Sequence, residues 1–264
     1  MIEFRESPDR AGVEELRARC FPEDEIEKEF SVARTFVAEE GGRPVAHLAF
    51  MEQAYEFDGV TWRAALAMDA MTDPAYRRQG LFARLAGFAR DAIRGDYAFS
   101  TAWQIRPAVL PAMVANGWEP VLRAPVFVRP IWRNAGLWPA GSPASSRQSV
   151  GAAGTAAIRP AGGRRYRVTE NLVTRETVLK GHRTLALVEL TPHAKREIQA
   201  AMRETTCRLA AALLSWRHPA VPLLLRMGFL PSPHRFRFLV NVFDPRFDPR
   251  RVKWALSWAD TDHL

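Results

Sequence analysis

Asp69-Ala70-Met71-Thr72-Asp73-Pro74-Ala75-Tyr76-Arg77-Arg78-Gln79-Gly80-Leu81-Phe82 reads as the end of a strand, a tight loop and the opening of a helix. The N–H groups of a helix's first turn have no partner inside the helix. With those of a tight loop they converge on one point, where the helix dipole adds positive charge. A diphosphate fits such a nest. Gly80 stands where the backbone must approach phosphate closely or adopt positive φ, and Arg77 and Arg78 add charge around it. The plainer reading is a glycine that closes a strand-to-helix turn beside two solvated arginines.

On the N-terminal side, Asp9 precedes an amphipathic stretch with Val13, Leu16 and Cys20 at helical spacing, and Pro22 opens a short acidic helix running toward Phe30. Thr35 to Glu40, Val45 to Phe57 and Val60 to Thr72 read as a three-strand meander, turned at Gly41-Gly42 and at Asp58-Gly59. On the C-terminal side the spacing predicts a helix from Leu81 to Arg94, burying Leu81, Leu85, Phe88 and Ala92. A strand Tyr97 to Trp103, a helix Pro107 to Asn116 and a strand Trp118 to Arg129 follow.

Pro74 to Leu85, with Arg77 and Gly80 in the first and fourth motif positions, resembles the acetyl-CoA signature of the GNAT N-acetyltransferase superfamily, Arg-x-x-Gly-x-Gly/Ala. Phe82 stands where a small residue is usual, as in a subgroup with Gly-Leu-Phe, and Asn116-Gly117-Trp118 is similar to the family's Gly-Phe element. The resemblance spans residues 1 to 130. It implies an α/β (α+β) fold with a mixed, mostly antiparallel sheet flanked by helices. It also implies an acyl-CoA cosubstrate, acetyl-CoA or another acyl-CoA, bound through Met71, Thr72, Arg77, Arg78, Gln79, Gly80, Leu81 and Phe82. Direct transfer to an amine in a ternary complex follows, with the thioester carbonyl polarised by a backbone N–H at Met71 or Thr72. Many members carry a tyrosine four residues before the glycine of the Gly-Phe element, acting as the acid; Met113 fills that position here, leaving Tyr97, solvent or weakened catalysis. Asp69 and Glu52, on strands near the expected centre, are the candidate bases, against the alternative that each is a buried paired or surface carboxylate.

Farther on, Trp138 to Gly163 is rich in Ala, Gly, Ser and Pro without apolar periodicity and reads as a linker or surface loop. Beyond it, a strand Leu185 to Leu190, a helix from Thr191-Pro192 with Ile198 and Met202 four apart, a strand Cys207 to Trp216, a helix Pro219 to Met227 and a strand Phe236 to Phe243 repeat the earlier order. Trp103, Pro107-Ala108-Val109 and Gly117-Trp118-Glu119-Pro120 answer to Trp216, Pro219-Ala220-Val221 and Gly228-Phe229-Leu230-Pro231. Three segments are expected: an acyl-CoA-binding GNAT domain at 1–135, a linker at 136–164, and a smaller, degenerate GNAT-like half at 165–264. The last has Thr191-Pro192-His193 and no glycine before its helix. Its ending, Trp254 to Asp262, resembles tails of a bacterial subgroup, or is a solvated acidic tail.

With 264 residues, 47% of them apolar, the chain can bury one large core or two small ones, but its apolar runs are too short to span a bilayer. Neither a secretory leader nor a membrane span is expected, and the cytoplasm is the default compartment. A net charge of +8 favours an anionic partner. The basic residues are scattered without a nucleic-acid signature, so a small anionic cofactor suits the charge better than DNA or RNA. Cys20 and Cys207 read as reduced, the six histidines show no metal spacing, and no covalent acyl-enzyme arrangement is present. The expected activity is acylation of a small-molecule amine by a monomer or homodimer; the alternatives are a non-catalytic CoA sensor or scaffold and a nucleic-acid-binding module.

Overall fold

A computed structural model describes residues 1–7, 10–21, 34–103, 109–131 and 166–260. The elements are β1 Ile2–Glu6, α1 Arg10–Cys20, β2 Arg34–Glu40, β3 Arg43–Phe57, β4 Val60–Thr72, α2 Leu81–Ile93, β5 Phe99–Trp103, α3 Leu110–Ala115 and β6 Glu119–Pro130. The second half adds β7 Tyr166–Val168, β8 Leu172–Leu179, β9 His182–Leu190, α4 Lys195–Glu204, β10 Leu209–Leu213, α5 Val221–Arg226 and β11 Leu230–Val242. The helix start at Asp9, the acidic helix from Pro22, the proline opening at Pro107, the linker at 136–164 and the tail beyond 260 lie outside the described residues.

The chain forms two compact units, each built on a mixed, mostly antiparallel sheet with flanking helices. The first takes the described residues of Met1–Leu122 and Arg237–Val252. Its strands run β1-β2-β3-β4-β5-β11. Every pair is antiparallel except β4 with β5, which the α2 crossover makes parallel, and Phe238–Val242 of β11 lie against Phe99–Trp103. In the second unit the order is β7-β8-β9-β10-β6, with β9 and β10 parallel across the α4 crossover. There Leu209–Leu213 of β10 pair with Val126–Pro130 of β6. Each sheet is thus completed by a strand from the other half of the sequence, so the compact units are not the consecutive stretches 1–135 and 165–264.

The repeat extends to hydrogen bonds. After α3, Gly117 N–H donates to Val114 O and Trp118 N–H to Met113 O; after α5, Gly228 N–H donates to Leu225 O and Phe229 N–H to Leu224 O. Both turns are closed by a left-handed glycine, with φ of 87° and 80°.

In the first unit α2 lies on one sheet face, packing Leu81, Leu85, Ala86, Ala89 and Ile93 onto Phe36, Leu48, Phe50 and Leu239. The expected stripe is rotated. Ala92 is exposed, and Phe88, 39% exposed, meets Phe4 of β1 and Phe36 from the side, at 6.0 and 6.2 Å between rings. The strand carrying Phe4 was not expected from the sequence, and it draws Phe88 off the core-facing line. On the opposite sheet face α1 packs Val13 and Leu16 against Val37 and Met71. No helix among the described residues is long and apolar enough to cross a membrane.

Candidate acyl-CoA site

The loop between β4 and α2 is built by its own side chains. Asp73 Oδ1 accepts the Ala75 N–H at 3.0 Å and starts a 3-10 turn at Pro74–Tyr76. Arg77 Nε–H donates to Thr72 O at 3.1 Å, and Gln79 Nε2–H reaches back to Ala75 O at 3.0 Å. The chain then passes Arg78 and Gly80 at φ of 61° and 70° and enters α2. Among the described residues no side chain caps that helix, and its first turn holds no acidic residue. The Leu81, Phe82 and Ala83 N–H groups therefore point out of the helix end without a capping partner. A Cβ placed on Gly80 would meet nothing within 4 Å, so the space in front of those amides is open. Arg77, Arg78 and Gln79 are exposed around it, Phe82 is half-buried, and Leu81 is buried in the core so that only its amide faces the loop. This is the donor set a diphosphate requires.

Among the described residues the neighbouring edge of β4 is unpaired on one side. β5 pairs with β4 only from Ala64 to Ala67, whereas β4 continues to Thr72. Asp73 N–H donates to Val45 O at 2.9 Å, toward β3. Alternation along the strand then turns the Thr72 N–H and C=O to the other edge. There the carbonyl is taken by Arg77, and among the described residues the N–H has no strand partner. Met71 turns its amide toward β3 and buries its side chain under α1. Between Met68 and Met71 the β3–β4 register slips: His47 opposes Met71 and Ala49 opposes Met68, so Asp69 and Ala70 form a bulge, with Asp69 at a φ of 57°.

The three expected catalytic side chains do not meet at this edge. Asp69 is bound through both carboxylate oxygens by Arg17 of α1, the Nη1–Oδ1 contact being 2.8 Å. Glu52 is half-exposed and bridges Arg63 at 3.1 Å through each oxygen; hydrogen bonding from that guanidinium holds its carboxyl below the usual range. Tyr97 is buried, and burial, followed by the Glu52 charge, pushes its phenol up. Ala98, its neighbour, donates to Arg63 O, nine residues before Thr72, roughly 30 Å away along a strand. Tyr97, Trp62, Arg63, Arg94 and Phe243 line a cavity of about 620 Å³ at that far end. The catalytic roles expected of Glu52 and Tyr97 thus find no support in this geometry. Met113 is fully buried beneath α2.

Sequence reading missed the groups that hold the site from α1 and β3. Arg17 binds Asp69; Arg19 Nε–H binds Asp73 Oδ2 at 2.8 Å and its Nη2 donates to Pro44 O at 2.9 Å. The buried His47 makes a 2.8 Å hydrogen bond from Nδ1 to Asp69 O. The one local signal was the basic end of α1, Arg17-Ala18-Arg19.

An uncapped helix start beside a strand edge that is unpaired among the described residues, on a sheet with one parallel pair, is the arrangement of the GNAT fold. Residues 8–111 match the family of the acetyltransferase (GNAT) domain. That match spans 104 of the 264 residues, and the two halves together have a two-lobed GNAT-like fold. No curated protein matches the sequence. Solved structures with the same fold include Eis1 from Mycobacterium abscessus, at 13% identity and a TM-score of 0.61 over 92% of this chain and 74% of that one. A GCN5-related N-acetyltransferase from Kribbella flavida has 15% identity and a TM-score of 0.55 over 92% and 72%. A tandem GNAT protein from the clavulanic acid biosynthesis pathway has 14% identity and a TM-score of 0.51 over 93% and 99%.

Proposed function

We propose that the protein is an acyl-CoA-dependent N-acyltransferase that moves an acetyl group from acetyl-CoA to the primary amine of a small molecule, directly and within a ternary complex. The observation that carries this reading is the open, uncapped start of α2 at Gly80 next to the Thr72 edge, which is unpaired among the described residues. Acetyl-CoA supplies an activated thioester carbonyl. The amides of Leu81 to Ala83 and the Arg77 and Arg78 guanidiniums hold the diphosphate, and the Thr72 N–H donates to an acyl oxygen on the strand edge. With Asp69 and Glu52 both ion-paired, the amine loses its proton to solvent.

The first unit does this work, and the half at 165–264 is a degenerate copy. In the latter, Glu197 in the first turn of α4 occupies the helix's positive end and accepts from Asn171 Nδ2 at 2.9 Å, so that end already holds an anion. The reading carries with it a cytoplasmic monomer or homodimer with no nucleic-acid or membrane partner. Titration calorimetry with acetyl-CoA tests the site: wild type binds, and Gly80→Trp, which fills the open space, does not. Unchanged affinity in Gly80→Trp refutes the assignment. A second reading, a CoA sensor without turnover, is favoured by the buried Met113 and the paired carboxylates. Thiol release from acetyl-CoA across a panel of amino sugars, amino acids and polyamines separates the two.

A further inference from the structure

Thr72 belongs to a short strand end that two other elements grip. Asp69, three residues before it, has a left-handed backbone at a φ of 57°, a conformation that non-glycine residues adopt rarely and that persists where the surroundings hold it. Its carboxylate is fixed by both terminal nitrogens of Arg17, on the α1 side. Its carbonyl accepts the proton of His47 Nδ1, on β3. Because a carbonyl only accepts, that bond fixes the ring in its Nδ1–H tautomer. Burial, with the Arg17 charge second, lowers the His47 pKa to about 3, so the ring stays a neutral donor at physiological pH. Both ends of one residue are therefore held at the point where β4 changes register and turns the Thr72 amide to the open edge.

We infer that Asp69 is a positioning residue, locked by Arg17 and His47, that aims the Thr72 amide at the acyl carbonyl. This rests on the acyl-CoA reading above and specifies which residues serve it.

The test compares full-length wild type, His47→Leu and His47→Asn. Asparagine can return an N–H near the Nδ1 position, and leucine cannot. Hydrogen exchange reads the lock without a ligand: His47→Leu raises exchange across residues 69–73 at least tenfold while other strands keep their protection, and His47→Asn restores it. Calorimetry with CoA and acetyl-CoA reads its purpose. In wild type acetyl-CoA binds tighter than CoA; His47→Leu loses that preference while the CoA Kd stays within threefold, and His47→Asn recovers it. The inference is overturned if local exchange is unchanged, if wild type binds CoA and acetyl-CoA equally, or if both affinities in His47→Leu fall together with Tm, the mark of a merely structural role. A wild type that binds neither nucleotide sinks the acyl-CoA reading itself, whatever the exchange shows.

Discussion

His47 and His218 enter the fold as neutral rings, and that makes the protein sensitive to mild acid. Burial lowers their pKa values to about 3 and about 4. Below pH 6.5 the unfolded chain takes up protons that the folded chain refuses, so stability falls as pH drops. Each ring costs about 2 kcal/mol between pH 7 and pH 5. Urea unfolding at the two pH values should show this loss, roughly halved in His47→Asn. A second residue-scale prediction concerns Asp69. Asparagine tolerates the left-handed backbone and keeps the carbonyl for His47, so Asp69→Asn should lower kcat by less than about tenfold and leave the slope of log(kcat/KM) against pH unchanged; loss of that slope would restore Asp69 as the base. At this scale the sequence spoke clearly only where partners are neighbours. The Asp73–Gly80 loop is bonded within itself and was visible. Arg17 and Asp69 are 52 positions apart, and no spacing rule links them.

Elements were read well where one apolar face decides them, as in the β2–β4 meander and α2, whose ends shifted by only a residue or two. Those settled by neighbours were not. β1 is five residues with charged alternates, and β8 ends in Lys180-Gly181, a hairpin turn with Lys180 at a φ of 49°, where a weaker turn former than Asp or Asn makes the bend. The matched turns after α3 and α5 allow a comparison. Alanine at either glycine pays about 1–2 kcal/mol for positive φ. At Gly117 its Cβ would also lie 3.2 Å from Asn241 Oδ1, whereas at Gly228 it would meet nothing within 4 Å. Asn241 holds Asn116 O at 2.9 Å and cannot move without losing that bond. Gly117→Ala should therefore be the more destabilising by roughly 1 kcal/mol in chemical unfolding. Within α2, a Cβ on Gly87 would stand 2.9 Å from Asn116 Oδ1, whose amide is tied to Ala83 O and Ala112 O. Gly87→Ala should cost about 1 kcal/mol in wild type, yet stabilise an Asn116→Ala background by up to about that amount.

For the whole molecule, the repeated residues around 103–120 and 216–231 announced two similar halves, and the structure carries the likeness into matching turns and crossovers. Which strand completes which sheet was hidden, because β6 and β11 are alike in pattern and only tertiary pairing chooses between them. The choice sets a test. A fragment of residues 1–135 lacks Phe238–Val242 and leaves the β5 edge bare beside Phe99 and Trp103. It should show no cooperative melt by circular dichroism and should elute as an aggregate; a sharp transition from that fragment would refute the exchange. The same exchange governs birth on the ribosome. The strand that closes the first sheet leaves the tunnel about 135 residues after Trp103, roughly 10 s later at usual translation speeds, so through that interval the nascent chain must keep an unfinished sheet from sticking to its neighbours.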